Sequence, residues 1–121
     1  MLTFDSILLF SEDPKALNEF YSKVFQTKPE WEQGGYYGYK VGEVYFMIGP
    51  HDKVKGKSQN PERILLNFRT TDVEKEFERI KALGATVIAK PYNPGEDPKM
   101  KLATFADLDG NYFQLATPMD M

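Results

Sequence analysis

The sequence predicts an α+β protein made of one supersecondary unit used twice, and three observations predict it. Each half of the 121-residue chain reads strand, helix, strand, strand, strand. The two helix starts, at Asp13 and Asp72, occupy equivalent places in the two halves. So do two tight turns at Gly42 and Gly110, with Val44-Tyr45-Phe46-Met47 after the first matching Tyr112-Phe113-Gln114-Leu115 after the second. Repetition of a whole unit constrains topology more than any single motif does. The length suits one domain, residues 1–121, with a first module over about residues 1–50, a linker over about 51–62 and a second module over about 63–121.

Residues 3–10 read as a strand, with the apolar run Ile7-Leu8-Leu9-Phe10 compatible with burial on both faces. Asp13-Pro14 then starts a helix, since an aspartate accepts from the free N–H groups of the first turn and proline has no N–H to lose there. Ala16, Leu17, Phe20, Tyr21, Val24 and Phe25 recur at helical spacing and form its apolar stripe. Residues 26–33 form a connection with Trp31 and room for a short strand, and residues 34–41 and 43–49 are two strands joined at Gly42. Residues 50–63 are polar and rich in turn formers, an exposed linker whose three lysines read as a solvated run.

In the second half, residues 63–69 read as a strand. Thr70-Thr71-Asp72 caps a helix with Glu74 in its first turn, Val73, Phe77, Ile80 and Leu83 as its stripe, and Gly84 as a left-handed terminus. Residues 85–89 form a short strand, and residues 90–99 a proline- and glycine-rich loop. The chain then closes in a hairpin about Asp109-Gly110. With Asp107 and Asn111 flanking that turn, Phe105 and Phe113 share one face, and Thr104, Tyr112 and Gln114 share the other. One face is strongly apolar and the other carries an amide at its centre, the pattern of a half-buried sheet whose second face lines a pocket.

Composition narrows the chemistry. With no cysteine there are no disulfides, thiolate zinc sites or cysteine nucleophiles, and with His51 as the single histidine no one chain assembles a multi-histidine metal site. A net charge of −3 does not suit a nucleic-acid partner, which favours a basic face. The start of the chain shows no basic region followed by an apolar run, and no apolar stretch is long enough to span a membrane, so a soluble cytoplasmic protein is expected. Sequence neighbours supply nothing to orient His51, which reads as an exposed loop residue rather than a general base.

Three segments carry a family resemblance: Glu19-Phe20-Tyr21-Ser22-Lys23-Val24-Phe25, Asn67-Phe68-Arg69-Thr70-Thr71-Asp72-Val73, and Phe105-Ala106-Asp107-Leu108-Asp109-Gly110-Asn111. The last is similar to a Phe-x-Asp-Pro-Asp-Gly-Asn signature, with Leu108 in place of the proline. Together they resemble the vicinal oxygen chelate superfamily, which includes glyoxalase I, extradiol dioxygenases, fosfomycin-resistance enzymes and bleomycin-binding proteins. The resemblance covers nearly the whole chain. It implies two tandem βαβββ modules forming a curved mixed sheet around a cleft, with the helices on the outer face.

The superfamily's metalloenzymes hold a divalent metal with a histidine on the first strand and a glutamate on the last strand of each module. Aligned on the helix motifs and turn glycines, those positions fall on Ser6, Leu65, Phe46 and Gln114. None is His, Asp or Glu, and a divalent ion stripped of water needs several such donors. The resemblance therefore implies no metal, no cofactor and no catalysis of the glyoxalase I type.

With the register taken from the resemblance, Ile7, Leu9, Tyr45, Met47, Leu66 and Phe68 turn to the helices, along with Phe105, Phe113 and Leu115. Ser6, Phe46, Leu65, Asn67, Arg69, Thr104, Tyr112 and Gln114 turn to the cleft as ligand-binding candidates, beside Leu8, Val44 and Ile48. Asn67 and Gln114 can each donate and accept hydrogen bonds, and Arg69 can grip a carboxylate or phosphate. The bland alternatives are that the two amides bond each other and that Arg69 pairs with a surface carboxylate. Trp31, Tyr36, Tyr37 and Tyr39 either stack on a planar ligand or pack a dimer interface, and the sequence leaves the two open.

The function expected is metal-free binding of a small molecule in the cleft between the modules, with sequestration of an antibiotic as one form of it. The alternative is an enzyme of the lyase or dioxygenase kind, acting without a protein-bound metal or with one supplied by a partner or substrate. A homodimer is expected, because the resemblance implies it and open sheet edges favour pairing.

Overall fold

The computed structural model describes residues 1–118, and the chain divides into two compact units, Met1–Gly56 and Lys57–Met121. The boundary falls inside the polar segment read as a linker. That segment is tied on either side of the boundary: the Gly56 amide donates to Glu12 Oε1 at 3.0 Å within the first unit, and the Ser58 amide to the Asp109 carbonyl at 2.8 Å within the second.

The first unit contains β1 (Ser6–Ser11), α1 (Pro14–Phe25), β2 (Trp31–Gln33), β3 (Tyr36–Val41) and β4 (Val44–Pro50). Its sheet runs β1-β4-β3-β2, with β1 parallel to β4 and the other pairs antiparallel. Asp13 caps α1 as expected, its carboxylate accepting the Ala16 amide at 3.2 Å. The helix ends on Gln26 at φ +59°, a left-handed position more often given to glycine, with the Gln26 amide bonded to the Ser22 carbonyl. Leu17, Phe20, Tyr21 and Val24 of α1 are buried, the stripe read from the sequence.

The face that α1 covers differs from the one expected. The Phe46 ring lies 4.8 Å from Tyr21 and 5.1 Å from Phe25, both on α1, and Phe46 is only 3% exposed. Ile7, Leu9, Ile48, Tyr37 and Tyr39 share that face by direct pairing with Phe46 or Ile48. Phe46 is therefore a core residue and not a cleft residue, as are Ile48 and, by alternation, Val44. Tyr45 and Met47 take the opposite face. The reason is loop parity. The β3–β4 loop between Val41 and Val44 has two residues, whereas five residues separate the paired Ala106 and Tyr112 in the second unit. Side chains alternate with a period of two, so the same count from each turn glycine lands on opposite faces.

Tyr39 shows how closed this core is. It is 1% exposed, its hydroxyl donates to the Asn18 side chain and backbone carbonyl, and its ring meets Phe25 at 5.2 Å. Burial pushes its phenol up from 10 to about 12, with the Ser22 side chain acting in the lowering direction and Tyr37 adding to the rise. Below the unfolded value near 10 both states keep the proton, so the stabilisation is fully present there. As pH rises toward 12 the unfolded chain ionises first and about 2 kcal/mol of stability is lost. Urea midpoints taken between about pH 9 and about pH 12 are expected to fall further for the wild type than for Tyr39→Phe. Equal slopes would show that Tyr39 ionises freely in the folded protein.

The second unit contains a single 3-10 turn at Pro61–Arg63, then β5 (Leu65–Arg69), α2 (Val73–Ala82), β6 (Thr86–Tyr92), β7 (Leu102–Ala106) and β8 (Tyr112–Ala116). Its sheet order, β5-β8-β7-β6, repeats the first, with β5 parallel to β8. Asp72 caps α2 by accepting the Lys75 amide at 3.0 Å, and Gly84 at φ +92° follows the helix end. Phe77 of α2 stacks on Phe105 at 5.1 Å, and Phe105 on Phe113 at 5.5 Å, the apolar face expected of the hairpin. β6 is longer than the sequence suggested. It runs through Pro91 with irregular register against β7, which an edge strand tolerates because its outer side forms no ladder. Neither unit contains a helix long and apolar enough to cross a membrane among the described residues.

Candidate functional site

In each unit the sheet face turned away from its own helix holds the residues with binding chemistry. On the second sheet, pairing sets Asn67 beside Gln114 and Gln114 beside Thr104 in one row. Gln114 Nε2 donates to Asn67 Oδ1 at 3.0 Å, so the two amides satisfy each other in part. One carbonyl oxygen of Gln114 and the amide nitrogen of Asn67 remain to meet a ligand. Leu65 and Tyr112 form the next row, with Leu65 43% exposed and Tyr112 half-buried. Arg69 follows Asn67 on the same face, exposed and without a carboxylate partner among the described residues. Six of the eight candidates, Leu65, Asn67, Arg69, Thr104, Tyr112 and Gln114, thus share one continuous face.

On the first sheet, Ser6 sits half-buried on the corresponding face, paired with Tyr45. Phe46 is absent from it, as described above. Sequence reasoning missed what takes its place: Tyr45 and Met47, and two aromatic rings that rest on glycines. Trp31 lies against Gly38 and Tyr36 against Gly49. A signal for this was available, because a glycine inside a strand marks a bend or a close approach, and Gly38 and Gly49 both interrupt strands. The tyrosine cluster divides accordingly, with Tyr37 and Tyr39 in the core and Tyr36 on the far face.

His51 is exposed, but its neighbours do orient it, contrary to expectation. Its Nδ1 accepts the Lys53 amide at 3.1 Å, which places the proton of the neutral ring on Nε2. Its ring meets Phe10 at 5.2 Å, and Asp52 Oδ1 stands 3.4 Å from Nδ1.

The metal that the superfamily's enzymes hold does not fit these residues. In the parallel registers Ser6 stands to Tyr45 as Leu65 stands to Tyr112, which makes Met47 the counterpart of Gln114. The first unit thus offers a hydroxyl and a thioether at these positions, and the second an aliphatic chain and an amide. A hard divalent cation selects carboxylate, imidazole or water instead. Among the described residues no group of three or more His, Asp or Glu side chains could hold an ion.

The profile of the glyoxalase-like domain family matches residues 1–116. Among solved structures, a glyoxalase-related enzyme from Fulvimarina pelagi is similar at a TM-score of 0.78 and 17% identity, over 98% of this chain and 89% of that one. A glyoxalase/bleomycin resistance protein/dioxygenase family enzyme from Burkholderia phytofirmans PsJN aligns at 0.75 and 21% identity, over 95% and 98% of the two chains. TioX from Micromonospora sp. ML1 aligns at 0.73 and 15%, over 97% and 99%. At these identities the likeness shows the fold alone. No curated protein has a matching sequence. The two strand–helix–three-strand sheets and the family profile over almost the whole chain lead to one conclusion: the chain belongs to the glyoxalase-like domain family of the vicinal oxygen chelate superfamily.

Proposed function

We propose that this protein binds a small, partly apolar, anionic or carbonyl-bearing molecule without a protein-bound metal, on the sheet faces turned away from its helices. The observation that carries the reading is the row Asn67–Gln114–Thr104 with Arg69 beside it, which has no carboxylate partner among the described residues. Gln114 stands at a position where metalloenzymes of the fold carry a charged ligand, and Asn67, Thr104 and Arg69 add hydrogen-bonding groups and a cation around it. Affinity alone suffices for such a task, so no catalytic group is required. The name of the Burkholderia phytofirmans protein, which pairs glyoxalase with bleomycin resistance, supports sequestration of an antibiotic as one form of it. The absence of cysteine suits a cytoplasmic setting.

Calorimetric and thermal-shift screening of metabolites and aromatic antibiotics tests the reading. A ligand held by Arg69 is expected to bind Arg69→Ala about tenfold more weakly, the loss of one charge-assisted hydrogen bond at an exposed site. Gln114→Glu is expected to repel an anion. If every hit binds the wild type and both variants equally, these residues are structural and the assignment fails. Elemental analysis is expected to find no stoichiometric metal, and one Zn, Ni, Mn or Fe per chain would overturn the metal-free reading. Turnover of a hit would favour the enzyme alternative.

A homodimer is also proposed, resting on the family and on the open edge strands β1 and β2 of one sheet and β5 and β6 of the other. Sedimentation at micromolar concentration is expected to exceed the 13.9 kDa monomer; a clean monomer would overturn it.

A further inference from the structure

The face of the first sheet turned away from α1 carries two cross-strand pairs of an aromatic ring with a glycine. Trp31 is directly opposite Gly38, and the β3–β4 register sets Tyr36 opposite Gly49. A Cβ built on Gly38 would stand 2.3 Å from Trp31 Cε2, and one on Gly49 would stand 2.2 Å from Tyr36 Cε2. Each ring therefore occupies the space a side chain would need. Neither glycine has a positive φ, so the backbone does not call for glycine at either place. The rings do.

Such a ring is held in position before any ligand arrives, so it loses little freedom on binding. Yet Trp31 is 40% exposed, which leaves much of the indole open to a second planar group. Leu8 and Met47 extend the same row, and Leu8 is exposed as well. Lys40 follows Gly38 by two residues on this face, about 7 Å along the strand. No Asp or Glu occupies a strand position of the face, and among the described residues Lys40 pairs with no carboxylate. An aromatic plane beside one uncompensated cation is complementary to an aromatic anion.

We propose that this face is a stacking platform for a planar aromatic carboxylate, its ring on the Trp31 indole and its anionic group toward Lys40. This names the ligand class within the small-molecule reading above and rests on it. Gly38 acts as a positioning residue, because any side chain there lifts the indole off the sheet.

Trp31 is the chain's single tryptophan, so its emission reports the platform alone. The probe is 2-naphthoate, titrated by emission and by calorimetry against the full chain. The expected result is saturable binding, weakened about tenfold or more in Trp31→Ala and in Gly38→Ala, as for the loss of one stacked ring. Lys40→Ala is expected to weaken 2-naphthoate severalfold and to leave the neutral 2-naphthamide unchanged. Cyclohexanecarboxylate, with the same charge and no aromatic plane, is expected not to bind. Thermal melting checks that the Gly38 variant folds, and Trp31→Ala decides the matter if it does not. Absence of saturable 2-naphthoate binding at millimolar concentration overturns the platform, as does equal binding by wild type and Trp31→Ala. Trp31 emission that shifts with protein concentration in the absence of probe assigns the face to a second copy and overturns it too. Screening hits that depend on Arg69 and not on Trp31 would overturn the platform while the proposed function stands. If no small molecule binds at all, both fall.

Discussion

Phe105→Ala is expected to destabilise the protein by about 3–5 kcal/mol, the usual range for removing a fully buried aromatic ring. Phe105 is 0% exposed, and its ring lies between Phe77 of α2 and Phe113 of β8, nearly parallel to both at 26° and 25°. Few side chains can move to fill the gap, because the neighbours are rings fixed by a helix and a strand. Marginal domains are stable by about 5–15 kcal/mol, so the variant is expected to be largely unfolded well below the wild-type urea midpoint. Phe105→Leu retains part of the volume and is expected to lose less than half as much. A loss below about 1 kcal/mol for Phe105→Ala would mean that the second unit repacks, against the close packing described here. The site would follow the core, since Thr104 and Gln114 are placed by the same two strands.

Asp107→Ala is expected to be nearly as costly, at about 2–4 kcal/mol, by a different mechanism. Asp107 is buried, and its Oδ1 accepts the Asp109 amide at 2.9 Å and the Asn111 amide at 3.0 Å. Its Oδ2 accepts Asn111 Nδ2 at 3.0 Å, and its own amide donates to the Asn111 carbonyl at 2.8 Å. Alanine would strand two backbone donors inside a closed loop. Asp107→Asn keeps an acceptor for the amides but turns an NH2 group toward Asn111 Nδ2, so about half the loss is expected. Equilibrium urea unfolding of the three proteins checks the order. If Asn and Ala cost the same, the carboxylate's second oxygen is doing more than the loop geometry shows. The loop closes the β7–β8 register, so the alanine variant is also expected to disturb the Thr104–Gln114 row.

Much of this was legible in the residues because the signals are local. Asp13-Pro14 and Asp72 start helices through bonds to residues three positions away, and both caps are formed. The alternation in the closing hairpin placed Phe105 and Phe113 on one face and Thr104 and Gln114 on the other, and their register is observed. Thr104, Tyr112 and Gln114 followed from that alternation, and Leu65, Asn67 and Arg69 from the register that the resemblance implied. Of the alternatives left open for Asn67 and Gln114, the mutual hydrogen bond is the one formed. Among the described residues, Arg69 pairs with no surface carboxylate.

Phe46 was misplaced for a physical reason that counting along the chain cannot repair. A turn of two residues and a turn of five differ by an odd number, and the period-two alternation converts that difference into the opposite face. The same holds for Trp31, whose role depends on Gly38 seven residues later, and for Tyr36 with Gly49 thirteen residues later. By itself the sequence determined the repeated strand–helix–three-strand unit and the helix limits, because propensity and capping act within a few residues. Only the tertiary structure decided which side of the first sheet its helix covers and which rings rest on which glycines. Those depend on strand register across long separations, which no local preference encodes.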